Sequence, residues 1–457
     1  MIPAFTKCGT CTKITLPNES NRTHLTKSET QSLVTSSFDR TVLPNGLRVL
    51  TSTFQHTNAV SIIFLFGAGS RYETPELAGA SHLFEHMLFK GTESRPTPRE
   101  ISEVVEGVGG TLNAFTDREV TGYWCRVAQP NYRDSIDLLA DMTLNSLFKD
   151  EDIAKEKQVV YEEIRASHDS PGARVSMMLD NLLWPDQPLG RDIAGSVESV
   201  GAISREDMLK YLETQYVASN TVIAVAGNVD HKEVVDQVSE LIGGLHDGEI
   251  LPMFPYEAKQ PQKRVALEYR PTEQAHVAFG LPGLAADDPD RHALSIMSVI
   301  LGETMSSRLF EEVREHRGLA YDIHSGAHFL SDTGAFVVES GIDPARVDEA
   351  IPVILHELAK MREGVTETEW KQALELTKGR MMLRMEESRA VSSFLGIQEL
   401  LRDNVETVDE ILAKISSVSM EDIKRAAQRV IKAENLVLSI VGPFEDNEHF
   451  ESMLTFE

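Results

Sequence analysis

The chain has 457 residues, which at roughly 100 to 200 residues per domain is enough for two to four domains or a pair of large lobes with a sizeable core. Its 44 Lys and Arg stand against 71 Asp and Glu, a formal charge of -27 that repels a phosphate backbone, excludes nucleic acid as the expected partner and suits a basic peptide. The longest apolar run, Ala59 to Gly69, is far short of the roughly 20 residues a bilayer span needs, and three cysteines cannot staple a chain of this length, so no membrane insertion and an intracellular fold are expected.

Residues 1–37 are rich in Ser, Thr and Asn and carry Lys7, Lys13, Arg22 and Lys27 against Glu19 and Glu29. They lack the apolar stretch of a secretory signal and are expected to form a disordered leader, with a weak transit peptide or a mis-called start as alternatives. Cys8 and Cys11 supply only two of the four ligands of a structural zinc knuckle, lie outside any βαβ context and are expected to be inert.

Ordered patterning begins near Phe38. Thr41 to Thr51, with Asn45-Gly46 at its centre, reads as a hairpin, and Val60 to Leu65 reads as a strand. A helix follows from Pro75-Glu76 to Gly91, and it contains His82-Leu-Phe-Glu-His86. At about 100° per residue, His86 lies about 40° around from His82 and Glu85 about 60° to the other side, so the three share one face. Two imidazoles one turn apart can ligate one metal, and a carboxylate beside them can hold a water on it. With 14 His and 71 acidic residues in the chain, about 0.07 matches to this pattern are expected by chance.

Gly107-Val-Gly-Gly-Thr-Leu-Asn113 has no Gly-Lys-Ser/Thr after it, so it reads as a turn and not a phosphate loop; Thr111 to Thr116 is then a short strand. The next informative helix runs from Glu151 to Ala166, capped by Asp150. Its apolar stripe is Ile153, Val160 and Ile164. Glu163 borders that stripe, Glu162 points almost opposite it, and Glu156 lies on the same edge as Glu163 one heptad earlier. A catalytic zinc site takes three protein ligands, and Glu163 is the best third ligand, with Glu162 as the fallback and Glu156 as an acceptor that orients a ligand.

Helices and strands alternate to about Leu245, after which 246–262 holds Pro252, Pro255 and Pro261 and reads as an extended linker. The two sides resemble each other. Asn220 to Gly227 and Asn435 to Gly442 are each a buried strand between an Asn and a Gly, and strand Val60 to Leu65 before a helix at Pro75 matches strand His276 to Gly280 before a helix at Pro289. The expected fold is therefore α+β: two similar lobes from a duplicated unit, 38–245 and 263–457, each an antiparallel-rich sheet with helices on one face. In the second lobe a helix from Glu303 to His316 ends at Gly318 and a strand follows from Leu319 to Ser325, placing Arg314 and Tyr321 seven apart across the turn.

These motifs together resemble the inverzincins, the zinc peptidases with H-x-x-E-H, and above all the half-length bacterial members and the β-subunit of mitochondrial processing peptidase. The likeness rests on Leu43 to Leu47, Gly67 to Glu73, His82 to Thr92, Leu112 to Thr116, Glu156 to Glu163, Ser307 to Phe310 and Arg314 to Tyr321. It implies one zinc per chain on His82, His86 and Glu163, Glu85 as general base, and Glu156 hydrogen-bonded behind a ligand. It further implies an edge strand at Asn113, Ala114 and Phe115 to which extended peptide adds, and an Arg314/Tyr321 pair for the oxyanion. The expected activity is hydrolysis of peptides or unstructured presequences by a homodimer with shared sites, in a bacterial-type cytoplasm or, alternatively, a mitochondrial matrix. A non-catalytic assembly subunit, or a processing subunit that needs an inactive partner chain, are the other readings.

Overall fold

The computed structural model describes residues 37–259, 263–402 and 404–456. The leader and its Cys8/Cys11 pair thus fall, except for Ser37, outside the described residues. Asp39–Val42 (β1) and Arg48–Thr53 (β2) form the hairpin read from Asn45-Gly46. Gly46 takes a φ of +88° in the turn, and Asn45 Nδ2 donates to the carbonyls of Gly243 and Leu245 at 3.1 Å each, tying the turn to the end of the first half.

Ala59–Phe66 (β3), Thr111–Thr116 (β4), Thr121–Ala128 (β5) and Thr221–Gly227 (β6) complete a sheet of order β1-β2-β6-β3-β5-β4. Val265–Tyr269 (β7), Ala275–Pro282 (β8), Ala320–Phe329 (β9), Gly334–Ile342 (β10) and Val437–Gly442 (β11) form a second sheet of order β7-β11-β8-β10-β9. Strand for strand, β2, β6, β3, β5 and β4 answer to β7, β11, β8, β10 and β9. In each sheet one pairing is parallel, β2 with β6 and β7 with β11, and every other pairing is antiparallel. The fold is α+β with two similar lobes, and the strands bounded by Asn and Gly are the equivalent β6 and β11.

The helices of the first half are Ala80–Leu88 (α1), Pro98–Glu106 (α2), Tyr132–Asn145 (α3), Asp150–Asp169 (α4), Pro171–Leu183 (α5), Val197–Ala202 (α6), Arg205–Gln215 (α7) and His231–Ile242 (α8). Those of the second are Arg291–Gly302 (α9), Val347–Met361 (α10), Glu367–Arg384 (α11), Ser388–Arg402 (α12), Val408–Ser417 (α13), Met420–Val430 (α14) and Asn447–Met453 (α15). Each half packs helices on one face of its own sheet, around Phe64, Phe84, Met87 and Ile136 in the first and Phe279, Leu294, Phe336 and Ile351 in the second. The opposite faces are covered by exchange. From the first half, α5 lies on the second sheet, packing Val175, Leu179 and Leu183 against Ala278, Val337, Val437 and Val441, and Ser439 Oγ donates to the Val175 carbonyl at 2.7 Å. From the second half, α12 lies on β3 and β6, with Ser388 Oγ 2.9 Å from Ser61 Oγ and the buried Glu399 bound to Arg40 at 2.8 Å.

Several boundaries differ from the sequence reading. Pro75–Leu77 is a separate 3-10 turn, and α1 begins only at Ala80. Lys149, not Asp150, occupies the cap position of α4, with Asp150 in the first turn where its charge meets the positive helix end. Residues 303–307 are a turn tied by Arg380 to Glu303, and Phe310–His316 winds as a π-helix. Residues 246–259 contain no helix or strand, yet Phe254 and Arg71 exchange backbone and side-chain hydrogen bonds, which pins this segment to the first half. Among the described residues no helix is long and apolar enough to cross a membrane.

Candidate metal centre

The short helix α1 is positioned at its start by a glycine and a buried acid. Gly79 adopts φ +92°, and a Cβ there would come within 2.5 Å of the Ala194 carbonyl oxygen, so only glycine makes this entry. The Glu73 carboxylate then accepts from Gly79 N at 2.8 Å, Ser81 N at 2.7 Å and Ser81 Oγ at 2.6 Å, satisfying donors the helix leaves free. Burial pushes its pKa up to about 7 against the pull of those bonds. Leu83, Phe84, Met87 and Leu88 bury the inner face, with the Phe84 ring 4.5 Å from that of Tyr216.

The other face carries His82, Glu85 and His86 toward α4. His82 Nε2 and His86 Nε2 each lie 3.6 Å from Glu163 Oε2, and one ligand atom from each of the three residues falls within 4.8 Å of the others. Burial, and then the nearby His86, push the His82 pKa down to about 4, so this ring is neutral with a lone pair available. Its Nδ1 is buried without a hydrogen-bond partner. His86 Nδ1 sits 3.2 Å from Glu156 Oε2; an acidic acceptor there places the proton on Nδ1 and leaves Nε2 as the lone-pair nitrogen that faces Glu163. Glu85 lies beside this trio, and its Oε2 accepts from Thr116 Oγ1 at 2.5 Å. Desolvation raises the Glu85 pKa, and the Thr116 bond opposes that rise.

The helical face of α4 separates its two consecutive acids. Glu163 turns to the imidazoles, whereas Glu162 is 72 % exposed and bound to Arg165 at 2.5 Å. On β4, the last strand of its sheet, Asn113 is exposed and its Oδ1 accepts from Ala114 N at 2.8 Å. The two-residue period puts Asn113 and Phe115 on one side and Ala114 and Thr116 on the other. Sequence reasoning missed Thr116: the strand period puts it on the same side as Ala114, and it is the packing of α1 against β4 that brings it to Glu85. Arg314 and Tyr321 meet each other, with the guanidinium 4.9 Å from the Tyr321 ring centre and 4.5 Å from that of Phe310. Tyr321 is 77 % exposed, and none of the described interactions joins this pair to His82, His86 or Glu163.

Two imidazole nitrogens and a carboxylate oxygen converging on one point are the donor set of an open zinc site, with a position left for a small oxygen ligand. The comparisons with known proteins point the same way. Residues 48–197 match the insulinase family, peptidase family M16, and residues 202–376 match the peptidase M16 inactive domain. The chain is 38 % identical over 416 residues to an uncharacterized zinc protease of Streptomyces coelicolor, covering 90 % of each, and 33 % identical over 405 residues to one of Bacillus subtilis, covering 87 % of this chain and 97 % of that one. In fold it is similar to a protease from Helicobacter pylori, with a TM-score of 0.83 at 24 % identity, covering 89 % of this chain and 99 % of that one. A chain of complex III2 from Candida albicans gives 0.80 at 23 % identity, covering 91 % and 99 %.

Proposed function

From its place in peptidase family M16, to which this chain belongs, we propose that it is a zinc-dependent endopeptidase acting on peptides or unstructured presequences. The observation that carries this reading is the convergence of His82, His86 and Glu163 with Glu85 beside them. The three ligands would hold one zinc per chain. Zinc, when bound, supplies a Lewis acid that acidifies water and polarises a carbonyl. Glu85 takes the proton of the attacking water and later delivers it to the leaving amine, and the buried setting that raises its pKa suits a group that must both accept and donate. Substrate adds as a strand along the open side of β4 at Asn113, Ala114 and Phe115, which favours extended chains over folded ones. A scaffold role would leave the complete donor set without use.

Arg314 and Tyr321 stabilise the oxyanion in this reading, and they do so from a second copy of the chain. The 77 % exposure of Tyr321, with Arg314 half-buried against its ring, leaves this pair open to a second chain and supports a homodimer with shared sites. Mixing Glu85→Gln protein with an Arg314→Ala/Tyr321→Phe variant under conditions of subunit exchange should restore activity towards half that of a wild-type dimer, scaled by the mixed fraction. Demonstrated exchange without recovery rejects the shared site.

Zinc itself is tested by elemental analysis and chelator competition. Glu163→Gln should weaken zinc binding far more than Glu162→Gln, and hydrolysis of a quenched peptide library should vanish on chelation and return with zinc. A chain that takes up no zinc sinks the peptidase reading. Thr116→Val keeps the shape of β4 but removes the donor to Glu85, and kcat should fall roughly 10-fold with zinc content unchanged, the scale of one hydrogen bond to a charged group. An unchanged kcat would deny Thr116 a part in holding the base.

A further inference from the structure

The acid behind His86 is itself held from behind. Glu156 projects from α4 one heptad before Glu163, and it is only 7 % exposed. Its Oε2 faces His86 Nδ1 at 3.2 Å, and its Oε1 lies 2.6 Å from Nζ of Lys90, which follows the end of α1 in a turn closed by Lys90 N to the Met87 carbonyl at 3.1 Å. Both carboxylate oxygens are thereby engaged, one by the imidazole and one by the ammonium. Resting on the metal-centre reading above, we infer that Lys90 is a positioning residue for the zinc site: it clamps Glu156, and through Glu156 it fixes the ring of His86 with Nε2 aimed at Glu163.

A carboxylate this buried gains most from two charged or strongly polar partners, because little water is present to replace either. Without Lys90 the carboxylate is free to turn about its last bonds, and the hydrogen bond that orients His86 is made only part of the time. A competing effect has the opposite sign. An ammonium near the centre repels a divalent cation directly, so removing it would by itself tighten binding. The inference is that orientation outweighs repulsion in the intact site, and that repulsion alone remains once Glu156 can no longer be clamped.

The test is a double-mutant cycle on zinc affinity, read by competition with a chromogenic chelator on the full chain. Lys90→Met should weaken zinc binding about 10-fold, at the low end of what partners of a metal ligand contribute. Lys90→Arg should stay within about threefold of wild type, since it restores the cation. In a Glu156→Gln background, Lys90→Met should cost nothing or bind zinc more tightly. Additive losses in the two backgrounds, or tighter binding by Lys90→Met alone, overturn the inference. So does a lowered melting temperature with unchanged zinc affinity, which would reduce Lys90 to a cation that offsets the dipole at the end of α1. A wild-type chain that binds no zinc removes the metal-centre reading and this inference with it, whereas zinc-binding wild type with an unaffected Lys90→Met removes this inference alone.

Discussion

Glu85→Gln protein is expected to keep its zinc and lose about 100- to 10,000-fold in kcat, the range a positioned general base contributes. The size of the loss follows from what the substitution leaves intact. A glutamine oxygen can still accept from Thr116 Oγ1, so the side chain keeps its place on the outer face of α1 and the pocket keeps its volume. His82, His86 and Glu163 are untouched, and only the capacity to take a proton is gone. Elemental analysis together with single-turnover cleavage of a quenched peptide separates the two properties. Loss of metal in this variant would make Glu85 a ligand, and retained turnover would move the base elsewhere.

A second large effect is expected far from the metal. Arg71 is fully buried and joins three segments: its guanidinium bonds to Glu119 in the β4–β5 turn, to Asp332 Oδ1 at 2.5 Å in the β9–β10 turn, and to the Phe254 carbonyl at 2.9 Å in the segment between the halves. Glu119 in turn accepts from Ser331 N at 3.1 Å and Ser331 Oγ at 2.8 Å. Arg71→Met leaves Glu119 buried and uncompensated, and stability should fall by about 3 to 5 kcal/mol, measured as a shift of the urea midpoint. Arg99→Ala, which breaks an exposed pair with Glu103 on α2, is the control and should leave the midpoint in place. Equal midpoints for the two variants would mean that the buried cluster adds nothing to the join between the halves.

Much of the architecture could be read from local signals. Asn45-Gly46 marked the hairpin because few other pairs fit its turn, and the two Asn-to-Gly strands revealed the repeat because their counterparts occupy the same place in each sheet. Helical periodicity distinguished Glu163 from Glu162, since the buried stripe of α4 dictates which of two neighbours can face inward. Other features depended on tertiary contacts that no window of sequence contains. Pro75 is a good first residue of a helix, but Gly79, packed too close to the Ala194 carbonyl to carry a Cβ, takes a left-handed conformation and the α-helix starts only after it. Thr116 looked like any strand threonine until α1 was laid beside β4. The stacking of Arg314 on Phe310 as well as on Tyr321 had no local sign either, because it depends on the π-helical winding of Phe310–His316, which an ordinary helical period does not anticipate.

The exchange of α5 and α12 makes the two halves a covalently tethered equivalent of a domain-swapped pair. Each half has lent its partner one helix, and neither sheet can hide its outer face without the loan. A proteolytic nick between the halves would therefore not release two independent lobes. The fragments would stay clasped by their crossed helices, and motion of one lobe against the other would have to bend the connections into α5 and α12 before it could open any gap between the sheets.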